Sequence, residues 1–432
     1  MKRLINIILI SDVGITLNTI LVAAAIFVFT YALIFLRKFR GRKINMGLAA
    51  AVGGILMIIF DIVAVEDIPN LVNFDVILLL LGMMMLAAGL EFSKFFHLVS
   101  DFLIKFSGNK VKLLACVMII CAVLSAMILN DAVVLIFTPI IIRCCRSTGC
   151  NPIPYLIGVM FSANIGSLAT PIGNPQNAYI ASEAGISFID FTLHSLPISL
   201  LCLPIAFLII YLIFRKNLTS DVPRINDTKN IVIDRTRLWA VVIIMLGAFV
   251  GFTISGIIGI QLWIIAMTAG VLALIVVMSS SIRNITWVAK KIDWSILVFF
   301  IGLFILMGGI SASGLLNEIT SFFPGFGPGE TISVLNLTVF TAILSNLVSN
   351  VPAVVLISDL LSTTDLTLLI TLAASSTLAG NATLIGSAAN VIVSEHSENN
   401  GVSFNFWKFA LIGIPVTLVT LLISVGIITL IG

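Results

Sequence analysis

Apolar stretches of about 20 residues recur along almost the whole chain, at 18–36, 46–65, 189–214 and 406–430 among others, and each is long enough to cross roughly 30 Å of hydrocarbon as a helix. The bilayer is therefore the solvent. The composition, 59% hydrophobic and only 10% charged, is outside the range of soluble domains. Apart from 216–236 the connections are too short to fold by themselves, and no phosphate-binding P-loop is present, which argues against a primary pump. The first 18 residues are interrupted by Ser11, Asp12 and Gly14 with no small-residue cleavage site, so no removable leader is expected. Cys116, Cys121, Cys144, Cys145, Cys150 and Cys202 lack the spacing of a zinc site or disulfide framework and are expected to be reduced.

Charge sets the topology. Apart from Lys2 and Arg3, the basic residues fall in clusters: Arg37 to Lys43, Lys94 to Lys112, Arg143 with Arg146, Arg215 to Arg237, Arg283 with Lys290 and Lys291, and Lys408. The positive-inside rule puts all of these clusters in the cytoplasm. Glu66, Asp67, Glu183, Asp190, Glu318 and Glu330 then fall outside. This works only if 111–146 and 332–363 enter and leave on one side as re-entrant hairpins. Ten full spans remain, at 18–36, 46–65, 73–93, 153–182, 189–214, 237–256, 260–280, 294–313, 367–393 and 406–430. The segment 94–108 mixes Phe95, Phe96, Leu98, Phe102 and Leu103 with Lys94, His97, Asp101 and Lys105, which suits an interfacial helix.

The two halves repeat. AVVLI at 132–136 recurs at 353–357; Ala122, Leu124, Ser125 and Asn130 recur as Ala342, Leu344, Ser345 and Asn350. Further on, Ala169, Thr170, Ile172, Gly173 and Asn177 recur as Ala382, Thr383, Ile385, Gly386 and Asn390, and the run around Gly82 resembles that around Gly302. Five spans in each half give the second copy opposite polarity. The expected architecture is an all-α polytopic membrane protein with an inverted-topology repeat, residues 1–215 and 237–432, joined by a cytoplasmic linker at 216–236. Such repeats place solute and ion sites near the midplane.

Four segments put helix-breaking polar residues at that depth. They are the hairpin tips Leu129-Asn130-Asp131-Ala132 and Ser349-Asn350-Val351-Pro352, the break from Asn164 and Gly166 through Thr170, Gly173, Asn174 and Asn177, and the break from Asn381 and Thr383 through Gly386 and Ser387 to Asn390. Proline removes a helical donor and glycine loosens the turn, so the helices should open there. Opened backbone at membrane depth needs protein, water or a solute as partner. Helix N-termini suit an anion; free carbonyls with Asn and Thr oxygens suit sodium or a proton carrier. One such residue is as readily a packing device, whereas four paired clusters are not. Asp131 is the sharpest single candidate, because an ionisable group at a re-entrant tip is costly unless used. Asp61 and Glu91 lie at span ends, and His97, His194 and His396 have no mutual ligand spacing. No Lys or Arg falls inside a span, which weighs against a multiply charged solute.

NDAVVLIFTPI, ANIGSLATPIGNPQN, SNLVSNVPAVVLI and STLAGNATLIGSAANVIV resemble the signature blocks of the ion transporter superfamily over about 46–430, especially its arsenite and anion permease branch. That resemblance implies an elevator-type transporter in which Asn130 with Asn164, Gly166 and Thr170 forms one clamshell, and Asn350 with Asn381, Thr383 and Ser387 the other, with sodium near Asn130 and Asn350. The symporters of the family carry Ser-Asn-Thr at both tips. Here the tips differ, which favours a proton over sodium and dicarboxylate. The expected function is a secondary permease for a small inorganic or organic anion, or arsenite or antimonite, driven by a proton or sodium gradient. A sodium/proton antiporter of the same superfamily and an anion channel are the alternatives; no enzyme motif is present. No cofactor or resident metal is expected beyond the coupling ion. The expected partners are the bilayer, a small solute and a second copy as a homodimer, with no nucleic acid. The expected location is the plasma or inner membrane, with both termini outside the cytoplasm.

Overall fold

A computed structural model describes residues 18–34, 38–39, 42–43, 45–105, 109–218, 233–315, 318, 332–361 and 363–431. Helices carry the regular structure there, save for a two-residue antiparallel ladder of Lys38–Phe39 with Arg42–Lys43. In chain order the helices are α1 (Asn18–Ile34), α2 (Met46–Ile59), α3 (Ile68–Leu71), α4 (Phe74–Phe92), α5 (Phe95–Lys105), α6 (Lys110–Met127), α7 (Asn130–Thr148), α8 (Ile153–Ser167), α9 (Pro175–Glu183) and α10 (Phe188–Leu218). After them come α11 (Arg235–Ile258), α12 (Leu262–Met278), α13 (Asn284–Lys291), α14 (Trp294–Ala312), α15 (Val334–Val348), α16 (Asn350–Leu361), α17 (Leu366–Ala379), α18 (Ala388–Asn399) and α19 (Phe406–Ile431). Six of them, α4, α6, α10, α11, α14 and α19, are long and apolar enough to cross a membrane unaided. The chain is a multi-pass helical membrane protein.

Each stretch expected to span is helical, those at 153–182 and 367–393 as two helices each, α8 with α9 and α17 with α18. The run at 46–65 stops short at Ile59, because Asp61 adopts a left-handed φ of 53° and the chain passes into a 3₁₀ turn at Val65–Asp67. Local capping sets the other ends. Asn109, Asp234, Asp293 and Asp365 accept hydrogen bonds from the first N–H groups of α6, α11, α14 and α17. Gly149 and Gly259 end α7 and α11 at a left-handed φ of 68°. Residues 1–17, most of the 216–236 linker and Glu330, on which expectations above partly rest, lie outside the described residues.

Contacts gather the helices into two compact units. The first takes residues up to Ile77, Asp293–Ser333 and Val355–Ser362; the second takes Leu78–Ile292, Val334–Val354 and Thr363–Gly432. In the first, α2 lies against α14 so closely that a Cβ added at Gly302 would sit 2.4 Å from the Ala50 carbonyl carbon, and one at Gly54 would sit 3.0 Å from Gly302 O. In the second, α4 meets α12 the same way. A Cβ at Gly82 would sit 2.4 Å from the Ala266 carbonyl carbon, and one at Gly270 would sit 2.6 Å from Gly82 O. Lipid supplies no hydrophobic drive between helices, so this backbone approach supplies the attraction. The pairs Gly302 with Ala50 and Gly54, and Gly82 with Ala266 and Gly270, correspond across the repeat. Sequence comparison found the α4 and α14 match but missed the match of α2 to α12.

Within the second unit, α6 packs on α8 and α15 on α17, again repeat mates. The foot of the first hairpin is tied to the next helix, as Tyr155 Oη in the first turn of α8 donates to Lys110 O at the start of α6 across 3.3 Å. Two basic helix ends are also tied to other elements. Arg146 at the end of α7 donates to Asn400 O after α18, and Lys291 of α13 pairs with Glu91 of α4. The segment expected to lie in the interface forms the amphipathic helix α5, and α13 is a second short amphipathic helix that the sequence reading missed.

Candidate functional site

The two breaks are built alike. In the first, Asn174 caps α9 by accepting from Asn177 N (2.9 Å), with Pro175 following it at the first helical position. Asn177 Nδ2 then reaches back to the carbonyls of Ser167 and Thr170, both at 3.1 Å, tying off the open end of α8. In the second, Ser387 caps α18 by accepting from Asn390 N (3.2 Å), and Asn390 Nδ2 donates to Gly380 O (2.8 Å) and Thr383 O (2.9 Å). Each of these partners is the repeat mate of its counterpart. The breaks are tight enough to require glycine: a Cβ at Gly173 would fall 2.3 Å from Ser167 O, and one at Gly386 would fall 2.8 Å from Gly380 O.

Each hairpin tip is pinned to its own break. Asn130 N donates to Gly173 O (2.9 Å) at the first tip. Asn350 Nδ2 faces Gly386 O (2.9 Å), Ser376 O (3.1 Å) and Ser345 Oγ (2.6 Å) at the second. Behind the tips, Thr170 Oγ1 donates to Ala126 O (2.6 Å), whereas Thr383 Oγ1 donates to the side chain of Asn346, the residue at the matching place (3.3 Å). Asn346 in turn holds Ala342 O (3.1 Å) and Ala379 O (3.0 Å).

The breaks also bond to each other. Asn164 Nδ2 in α8 faces Asn381 Oδ1 (2.8 Å), Ser387 Oγ (3.0 Å) and Asn390 Oδ1 (3.3 Å), and its Oδ1 faces Asn130 Nδ2 at 3.5 Å. In the reverse sense Asn174 Nδ2 faces Thr377 Oγ1 (3.4 Å) as well as Ser167 Oγ (2.9 Å), and Gln176 Nε2 donates to Thr377 Oγ1 (3.2 Å). Thr377 occupies the repeat position of Asn164, and Ser387 that of Asn174. The bond from Asn164 to Ser387 is thus the image of that between Asn174 and Thr377, the pattern of a pseudo-two-fold passing between α8 and α17. Asn164, Asn174, Asn177, Asn381 and Asn390 are 0–1% exposed.

The hydrogen-bonding groups of the network are amides, hydroxyls and backbone. No Lys or Arg takes part in the bonds given above. Two atoms are left over: Asn381 Nδ2 and Asn177 Oδ1 are buried without a hydrogen-bond partner. Buried polar atoms of this kind cost about 1–3 kcal/mol each unless something else meets them. Asp131 stands half-buried at the first tip, beside the network, with its own N–H held by Asn130 Oδ1 (3.0 Å). Ser349 sits at the second tip at φ 79°, a left-handed conformation that costs a non-glycine residue free energy. Pro352 is buried in the first turn of α16.

The structure therefore brings Asn130, Asn164, Thr170, Gly173, Asn174, Asn177, Asn350, Asn381, Thr383, Gly386, Ser387 and Asn390 into one bonded region, with Gly166 beside it against the Ala122 backbone of α6 and Asp131, Ser349 and Pro352 at its tips. Sequence reading missed Ser167, Gln176, Ser345, Asn346 and Thr377. Thr377 was recoverable as the repeat mate of Asn164, and Asn346 as an amide four residues before Asn350 in an apolar arm. Among the described residues no group of His, Cys, Asp and Glu could hold a metal ion. Five of the six free cysteines are buried, and Cys116 is partly so.

A profile of the citrate transporter family matches residues 31–365. A 46 kDa membrane protein of Mycobacterium leprae is 28% identical over 425 residues, covering 93% of this chain and 96% of that one. A transporter named arsB of Dictyostelium discoideum is 26% identical, covering 94% and 92%, and a silicon efflux transporter of Oryza sativa subsp. japonica is 27% identical, covering 88% and 91%. Among solved structures, the YdaH transporter of Alcanivorax borkumensis matches with a TM-score of 0.57 at 14% identity, over 96% of this chain and 97% of that one. That likeness is one of fold.

Proposed function

The chain belongs to the citrate transporter family, and on that footing we propose that it is a proton-coupled secondary transporter of a small, weakly acidic inorganic hydroxide such as arsenous or silicic acid. The observation that carries this reading is the chemistry of the crossed network. Neutral amides and hydroxyls donate and accept in turn, which matches a solute whose several O–H groups also do both. A multiply charged carboxylate would ask for Arg or Lys, and the bonds described above include neither. The Oryza relative is named as a silicon efflux transporter, which fits a solute of this chemistry.

Asp131 is the proposed proton carrier. It is the acidic residue at a hairpin tip, half-buried beside the network, and its repeat mate Val351 carries no charge. Transport proceeds in this reading by an elevator movement of the paired hairpins and breaks, with solute bound between the two repeats, 1–215 and 237–432. The basic helix ends face the cytoplasm of a plasma or inner membrane, and the chain pairs as a homodimer. The test is flux in oriented vesicles with arsenite, silicic acid, phosphate, citrate and dicarboxylates under imposed proton or sodium gradients. Proton-driven movement of arsenite or silicic acid with citrate inert is expected. Citrate driven by sodium would overturn the solute and coupling assignments together. Asp131→Asn should leave a folded protein whose arsenite flux ignores the proton gradient; retained gradient dependence would refute its role.

A further inference from the structure

We propose that a crevice at the foot of α8, α10 and α19 binds one anionic phospholipid, headgroup at its mouth and acyl chain along its wall. The crevice has a volume of about 510 Å³, within the range of sites that hold a small ligand. Its inner wall is apolar, formed by Ile157, Phe214, Phe404, Phe409 and Ile412, and its mouth carries Ser403, Asn405 and Lys408.

Three features select a lipid, and an anionic one. First, the crevice lies where three helix ends coincide: the start of α8, the basic end of α10 at Arg215 and Lys216, and the start of α19. All three belong to one side of the membrane in the charge-derived topology, so the mouth is at headgroup depth and the wall at acyl depth. Exposed Trp407, 74% accessible, marks the same boundary beside Lys408. Second, Lys408 is exposed, and no ion pair among the described residues claims it. Third, the positive end of α19 adds to the Lys408 charge. Asn405 caps that end through Lys408 N (3.0 Å), and an anion beside it is favoured. A soluble partner would not need the apolar wall, and a zwitterionic lipid would gain little from the charge. The crevice shares no residue with the crossed network, although Phe409 packs edge-on to Phe161, one turn before Asn164.

The test is native mass spectrometry of the detergent-purified full chain, titrated with phosphatidylglycerol or phosphatidylcholine of identical chains. One phosphatidylglycerol should be retained in preference, and Lys408→Gln should weaken that retention about five-fold, the worth of one basic residue at an anionic surface. Lys408 is exposed, so that variant folds. A second variant, Ile412→Phe, narrows the wall and should lower retention of phosphatidylglycerol while leaving Lys408 in place. Equal retention of both lipids by the unmodified chain, or phosphatidylglycerol retention untouched by both variants, would overturn the proposal. So would displacement of the lipid by an equal concentration of glycerol phosphate, which would mean that the mouth takes soluble phosphates and the wall is idle.

Discussion

Replacing Asn164 tests the crossed network most directly. Its amide has two hydrogens and faces three acceptors, Asn381 Oδ1, Ser387 Oγ and Asn390 Oδ1. Asn390 keeps its bonds to Gly380 O and Thr383 O through its own Nδ2, but Asn381 does not fare as well. Its Nδ2 already lacks a partner, so Asn164→Ala leaves both ends of a fully buried amide unmet. Interhelical hydrogen bonds inside membranes are worth about 0.6 kcal/mol on average and at most about 1.7. Two of them lost gives a destabilisation of roughly 1–3 kcal/mol. The sharper expectation is non-additivity. Once Asn164 is gone, Asn381 contributes nothing, so Asn164→Ala with Asn381→Ala should cost no more than Asn164→Ala alone. Unfolding by graded denaturing detergent measures the single and double variants in one cycle. Costs that add to within about 0.3–0.5 kcal/mol would mean that the two amides act independently, and the inferred coupling of the repeats would fall.

Further outcomes follow from the same contacts. Gly82→Val should be destabilising by about 1–3 kcal/mol through the collision with Ala266, whereas Gly247→Ala, whose added carbon meets nothing within 4 Å, should be neutral or mildly stabilising; thermal aggregation in detergent ranks the two. Ser349→Gly should stabilise by about 0.5–1 kcal/mol by relieving the left-handed backbone at the second tip, and Ser349→Val should do the reverse, read by the same unfolding assay. Burial, then the neighbouring Lys94 and Arg143 charges, hold the His97 imidazole below its ordinary range, against the opposing pull of Asp101. The unfolded chain therefore takes up a proton near pH 6.5 that the folded chain refuses, so stability should fall as the pH drops through that value. His97→Gln should flatten the dependence between about pH 5 and 7.

The apolar runs by themselves determined that the solvent is lipid and that the elements are helices, because backbone in hydrocarbon has no other way to satisfy itself. Repetition of Asn130 as Asn350, Gly173 as Gly386 and Asn177 as Asn390 marked which helices open and which tips go with which break. These residues were legible because Asn and Gly are conspicuous against a background of Leu, Ile, Val and Ala. Periodicity could not show what each opened end bonds to. That Asn177 ties off α8, that Asn164 crosses to Asn381 and Ser387, and that Thr377 answers it from the other half depend on α8 and α17 passing within side-chain reach, a property of packing. The same holds for Gly82 against Ala266 and Gly302 against Ala50. Glycine in an apolar run looks like any small residue until another helix lies on it. A membrane sequence fixes its elements through their solvent, residue by residue; its site forms only where separate elements meet, and that meeting is set by shape.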